Sequence, residues 1–199
     1  LRQAVNDRMV KMVDYISKND DAEDEIKFQE IYDNHQANKN NYRKVKPLTI
    51  LVTKDITKAK HLASELSEFL ITKEQLTAEE CEKKVLIVTS APEHKVNVKK
   101  LKEVDNKEDS TEWIISVSML TEGWDVKNVF QIVPWEDRAF NSKLLIAQVL
   151  GRGLRVPPEY QSPQSKVRVF NHDAWSRNIR GLVDEILEIA NIQTYAQEA

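Results

Sequence analysis

Two short stretches hold most of the chemistry this sequence could perform. The first is "SMLTEGWD", Ser118 to Asp125. Ser118 and Thr121 offer small hydroxyls, and Gly123 lets a turn tighten. Asp125 could accept from a sugar hydroxyl or hold an arginine. The second is "QVLGRGLR", Gln148 to Arg155. Gly151 and Gly153 leave bare backbone that another surface can approach closely. Arg152 and Arg155 stand three residues apart and would project from nearly the same side of a helix end. Two guanidiniums offered across an interface suit a phosphoryl group in transit, where one such arginine is worth about 10³–10⁵ in rate. Each stretch also has a plainer reading, as a capped strand-to-helix turn and as surface or ion-paired arginines.

The chain lacks the other half of that chemistry. A phosphate loop needs G-x-x-x-x-G-K-[ST] and a dinucleotide site needs G-x-G-x-x-G. The four glycines, Gly123, Gly151, Gly153 and Gly181, fit neither spacing. The chain reads as one wall of a site whose other wall lies elsewhere. The single cysteine, Cys81, excludes an internal disulfide and any cysteine-cluster metal site, and no metal ligands are assigned. A net charge of −3 is not that of a dedicated nucleic-acid module, though a few main-chain and hydroxyl groups can still touch a phosphate backbone. No apolar run approaches the ~20 residues a membrane span needs, so no membrane partner is expected. With no signal-peptide pattern, a cytoplasmic protein is the default. The chain opens on "LRQAVNDRMV", without an initiating methionine, and reads as a piece of a longer protein.

The elements that must position these stretches follow from apolar spacing. Val5, Met9, Met12, Val13 and Ile16 have helical spacing and predict an amphipathic helix over residues 1–18. Residues 19–46 are highly polar and predict a helix near 23–36 followed by a solvated loop, the whole acting as a linker or insertion. From Pro47 the pattern changes. "LTILVT" (48–53), "VLIVTS" (85–90), "WIISVS" (113–118), "VFQIVP" (129–134) and "KVRVF" (166–170) read as strands. Helices are predicted after the first strand, with Ile56, Ala59, Leu62, Ala63, Leu66, Phe69 and Leu70 on one face, and over 77–84, 142–150 and 175–190; residues 92–104 are weakly helical. Uniformly apolar strands separated by helices indicate an α/β domain with a mostly parallel sheet covered on both faces. The division is residues 1–46 as an N-terminal helical segment and 47–199 as the α/β domain. Ligands of such sheets sit beyond the carboxyl ends of the strands, where "SMLTEGWD" falls.

Taken together, "SVSMLTEGWDVKNV" resembles motif V and "QVLGRGLR" motif VI of superfamily 2 helicases and translocases, and "PLTILVTKDITKAKHLASEL" resembles their motif IV region. The wording is similar to that of the Res subunit of type III restriction enzymes. The resemblance implies the second, C-terminal RecA-like domain of an ATP-dependent DNA translocase. A separate N-terminal RecA-like domain would carry the phosphate loop and hold most of the ATP and Mg2+. The resemblance makes Arg155 the arginine finger and Arg152 a second phosphate or coupling arginine. Gln148 falls near the γ-phosphate, and Gly123 and Asp125 face the ribose. Ser118, Thr121 and Thr53 face the DNA backbone. It further implies an endonuclease domain beyond Ala199 and a modification (methyltransferase) subunit as partner. Glu122 stands where many RNA helicases carry arginine. The rival readings are the motor domain of a repair or remodelling helicase, and a non-catalytic α/β interaction domain with degenerate motor motifs.

Overall fold

The computed structural model describes residues 11–18, 24–117, 126–135, 155–160 and 165–172. The strands are β1 (Met12–Lys18), β2 (Leu48–Thr53), β3 (Val85–Val88), β4 (Trp113–Val117), β5 (Val129–Pro134) and β6 (Lys166–His172). The helices are α1 (Asp24–Asn41), α2 (Ile56–Glu74), α3 (Ala78–Lys84) and α4 (Lys95–Lys100), the last preceded by a 3-10 turn at Pro92–His94. One six-stranded sheet runs in the order β1-β6-β5-β2-β4-β3. Every pairing in it is parallel.

Both sheet faces are dry at the centre, as the apolar strands require. Leu51, Trp113 and Ile115 lie with the apolar residues of the helices, while Ile50, Ile114 and Ile132, on the alternate positions, are equally inaccessible. The helix after β2 forms as its spacing predicts. Ala59, Leu62, Ala63, Leu66 and Leu70 are its buried stripe, and the Asp55 side chain caps it by accepting from the Lys58 amide. A Thr77–Glu80 capping box starts α3. Cys81 is a buried free thiol whose Sγ lies 3.6 Å from the Ser67 carbonyl oxygen, consistent with a structural role.

The N-terminal segment departs from expectation. Met12–Lys18 is a strand and not part of a helix; it pairs in register with β6, from Met12 beside Lys166 to Lys18 beside His172. Apolar residues at 12, 13 and 16 satisfy a helical spacing as well as a strand, and pairing with β6 decides between them. The polar stretch after it is a docked helix, α1, longer than predicted and running to Asn41. The sheet and its covering helices thus reach back before Pro47. The helices predicted over 142–150 and 175–190 lie outside the described residues, as do residues 1–10.

α1 docks through a chain of hydrogen bonds. Its buried residues are Phe28, Ile31, Asn34, His35 and Asn38. Arg168 Nη1 of β6 donates to Asn34 Oδ1, and Asn34 Nδ2 donates to Gln131 Oε1 of β5. Gln131 Nε2 donates to Thr49 Oγ1 of β2 at 2.9 Å and to the Ile31 carbonyl at 2.9 Å. Thr49 lies 2.9 Å from His35 Nδ1, and His35 Nε2 lies 3.1 Å from Glu112 Oε2. Lys39 Nζ closes the chain on Glu112 at 3.0 Å. The Glu112 carboxylate can only accept, so the neutral imidazole carries its hydrogen on Nε2, and Nδ1 accepts the Thr49 hydroxyl proton. Burial pushes His35 below its ordinary value, against the Glu112 carboxylate that raises it. Burial alone would raise Glu112, but His35 and Lys39 outweigh it and hold its carboxyl at about 2.

Candidate functional site

The chain order reverses about β2. From β2 the chain goes out to β3 at one edge and returns to β4 beside β2; it then crosses to β5 on the other side of β2 and on to β6. A reversal of this kind opens a crevice at the carboxyl ends of the central strands, where ligands of open α/β sheets bind. Thr53 ends β2 in register with Val117 of β4. β4 therefore ends beside the end of β2. On the other flank the Trp135 amide, just beyond β5, donates to the Val52 carbonyl at 2.9 Å. Trp135 stacks on Phe28 of α1 with ring centroids 4.8 Å apart.

Of the residues singled out in the sequence, Thr53 and Arg155 are described. Thr53 is fully buried, and its hydroxyl donates to the Asp55 carbonyl at 3.1 Å. That bond shapes the turn into α2, whose first turn Asp55 caps at 2.8 Å. Here the Thr53 side chain organises the strand end and does not project from it. Arg155 is exposed and stands in an isolated β-bridge. Arg152, Gln148, Gly123, Asp125, Ser118 and Thr121 lie outside the described residues.

The same edge carries groups that the motif reading passed over. At the end of β3, Thr89 Oγ1 lies 2.6 Å from His94 Nδ1 and accepts from the Ala91 amide at 3.1 Å. This fixes the turn into Pro92–His94 as Thr53 fixes the turn into α2. Lys60 of α2 meets Glu93 at 2.7 Å and so joins the start of α2 to the turn before α4. Exposed lysines, Lys54 and Lys58 beside β2 and Lys95 beyond β3, surround these turns. Their signal was available in the sequence, since each follows a predicted strand end within a few residues. Among the described residues no group of three or more His, Cys, Asp or Glu side chains could hold a metal ion, and no helix is long and apolar enough to cross a membrane.

A parallel sheet with covered faces and a chain reversal about β2 make a RecA-like α/β domain, the fold of helicase C-terminal domains. One solved structure agrees with that class. The C-terminal domain of S. cerevisiae Dbp5, a variant bound to Gle1 and IP6, matches with a TM-score of 0.50 and 14% identity, over 90% of this chain and 85% of that one. A structure of the C-terminal domain of the DEAD-box protein Dbp5 matches with a TM-score of 0.49 and 15% identity, over 92% of this chain and 87% of that one. At these identities the likeness is one of fold. No family model and no curated protein sequence matches the chain.

Proposed function

We propose that this chain is the second motor domain of an ATP-dependent superfamily 2 DNA translocase, most closely the Res subunit of a type III restriction enzyme. The observation that supports the reading is the strand order: β4 and β5 flank β2, so β4 ends beside the end of β2, the strand of the motif IV region. In this reading ATP and Mg2+ are held mainly by an N-terminal RecA-like domain. Closure of the two domains brings Arg155 to the γ-phosphate, with Arg152 and Gln148 coupling the phosphate to the strand ends, and Gly123 and Asp125 at the ribose. Ser118 and Thr121, with the turn that Thr53 shapes, touch the DNA backbone without reading sequence. Opening after hydrolysis then moves those contacts by a step. An endonuclease domain and a methyltransferase subunit complete the restriction enzyme.

The half-site character can be tested directly. The 199-residue chain has the proposed finger but no phosphate loop, so it should neither hydrolyse ATP nor hold it tightly. Titration calorimetry with Mg-ATP should show no binding at micromolar concentrations. Micromolar affinity or sustained turnover would overturn the half-site reading.

A further inference from the structure

The short segment that begins at Arg155 is tied down within a few residues. Arg155 is exposed, and its backbone stands in an isolated β-bridge. Pro157 is buried, and Pro158–Tyr160 forms a 3-10 turn in which the Tyr160 amide donates to the Pro157 carbonyl at 2.9 Å. Two consecutive prolines fix φ at both positions, so the turn has few other shapes open to it.

Tyr160 fastens this turn to the connection between α1 and β2. Its hydroxyl accepts from the Lys44 amide at 2.8 Å. Its ring stands edge-on to Tyr42 with centroids 5.2 Å apart, and the Lys44 ammonium lies 5.8 Å from its centroid. Tyr42 is itself fixed to the sheet. It stacks on Phe130 of β5 at 4.0 Å, and its hydroxyl accepts from the Lys166 amide at the start of β6 at 3.1 Å. Tyr160 thus rests on parts that belong to the sheet and not on another loop. Only residues 156–159 separate it from Arg155, so at ~3.6 Å per residue the two α-carbons lie within about 18 Å of each other. A shift of Tyr160 is passed to Arg155 with little slack.

We propose that Tyr160 is a positioning residue for Arg155. Its hydroxyl on the Lys44 amide and its ring on Tyr42 moor the far end of the Arg155 segment, so that domain closure meets an arginine already placed. The inference rests on the reading of Arg155 as the arginine finger and adds the group that aims it. An exposed side chain is not held by core packing, and its aim depends on the backbone that carries it. A misplacement of about 1 Å, caused far from the chemistry, can cost about 10²-fold in rate. Tyr160 acts through the backbone of residues 156–159 and needs no contact with the nucleotide. The competing role is plain support of the turn, and the test separates the two.

The experiment is a double-mutant cycle in the full-length parent, read by single-turnover hydrolysis at saturating ATP with DNA present. Tyr160→Ala should slow hydrolysis at least ~10-fold and leave the Kd for a fluorescent ATP analogue within about twofold. In an Arg155→Ala background the same change should slow nothing further, because the arginine it places is gone. Tyr160→Phe keeps the ring and loses only the Lys44 bond. It should cost about threefold, again only with Arg155 present, and it carries the cycle should Tyr160→Ala not fold by circular dichroism. Equal slowing with and without Arg155 would make Tyr160 a structural residue of the turn and overturn the proposal. A folded Tyr160→Ala at the unaltered rate would overturn it as well. Both results leave the assignment of Arg155 standing. A near-normal rate in Arg155→Ala alone overturns that assignment and the positioning role with it.

Discussion

α2 and α1 lie on one face of the same sheet, α2 on Leu62, Leu66 and Leu70, α1 on Asn34, His35 and Asn38 beside Phe28 and Ile31. Under α2 the contact is hydrocarbon, and each fully buried leucine contributes about 2 kcal/mol by area alone. Such a contact is strong and non-directional. Under α1 the contact is a chain with one sense, from Arg168 through Asn34, Gln131, Thr49 and His35 to Glu112. Each neutral bond nets only about 0.5–1.5 kcal/mol, but a buried group left without its partner costs about 1–3 kcal/mol. A slip of α1 along the sheet would break several links together. The apolar interface thus supplies most of the stability, and the polar one supplies position. α1 sets where Phe28 stacks on Trp135, beside the end of β2, so position matters there.

Deleting hydrocarbon under α2 should have the larger effect. Leu66→Ala, at a fully inaccessible site, should cost about 2–5 kcal/mol and lower the denaturation midpoint of the whole domain. Breaking the chain under α1 should cost less and act locally. Gln131→Leu keeps the approximate volume but removes the partners of Asn34 and Thr49, for an expected loss of about 1–3 kcal/mol. Hydrogen exchange should then quicken in the α1 amides before those of α2. Equal acceleration in both helices would show that the two interfaces are one cooperative unit and would dissolve the distinction.

The smallest effect is a pH dependence that only the polar interface can produce. The fold holds His35 below its ordinary value, while the unfolded chain takes up its proton near ~6.5. Stability from this site is therefore full above about pH 6.5 and is lost as pH falls through the lower folded value. Glu112 acts in another window: its contribution is complete above 4.5 and is lost as pH falls toward about 2. Lys11, held at about 7 by burial, destabilises fully below that value and less as pH rises toward 10.5. Between pH 6.5 and 5 His35 stands apart from both. Urea midpoints should fall with pH there, and His35→Gln should flatten the fall; parallel curves would mean that the imidazole is already protonated in the fold.

The same contrast explains what could be read from the sequence. Five of the six strands and the apolar stripe of α2 were legible because hydropathy records them directly. α1 was only half legible. Its helix could be seen, but a buried face of Asn34, His35 and Asn38 looks like a solvated one until Gln131, Thr49 and Glu112 are brought beneath it from elsewhere in the chain. β1 was misread because Met12, Val13 and Ile16 satisfy two periods, and the partner that decides, β6, lies more than a hundred residues away. At the site, the motifs identified the strand ends but not the role of Thr53, whose hydroxyl turns back to Asp55. Net charge gave no sign of the exposed lysines at the carboxyl edge, since it averages over the whole chain.

The central claim, that this domain completes an ATP site formed with another RecA-like domain, is tested most directly by single-turnover ATP hydrolysis in the full-length parent carrying Arg155→Ala. Loss of charge stabilisation on the transferring phosphoryl group should slow hydrolysis at least ~10²-fold. DNA binding should be largely retained, and Arg155→Lys should restore little, because an ammonium lacks the planar fork of a guanidinium. Hydrolysis at a near-normal rate in Arg155→Ala would contradict the account.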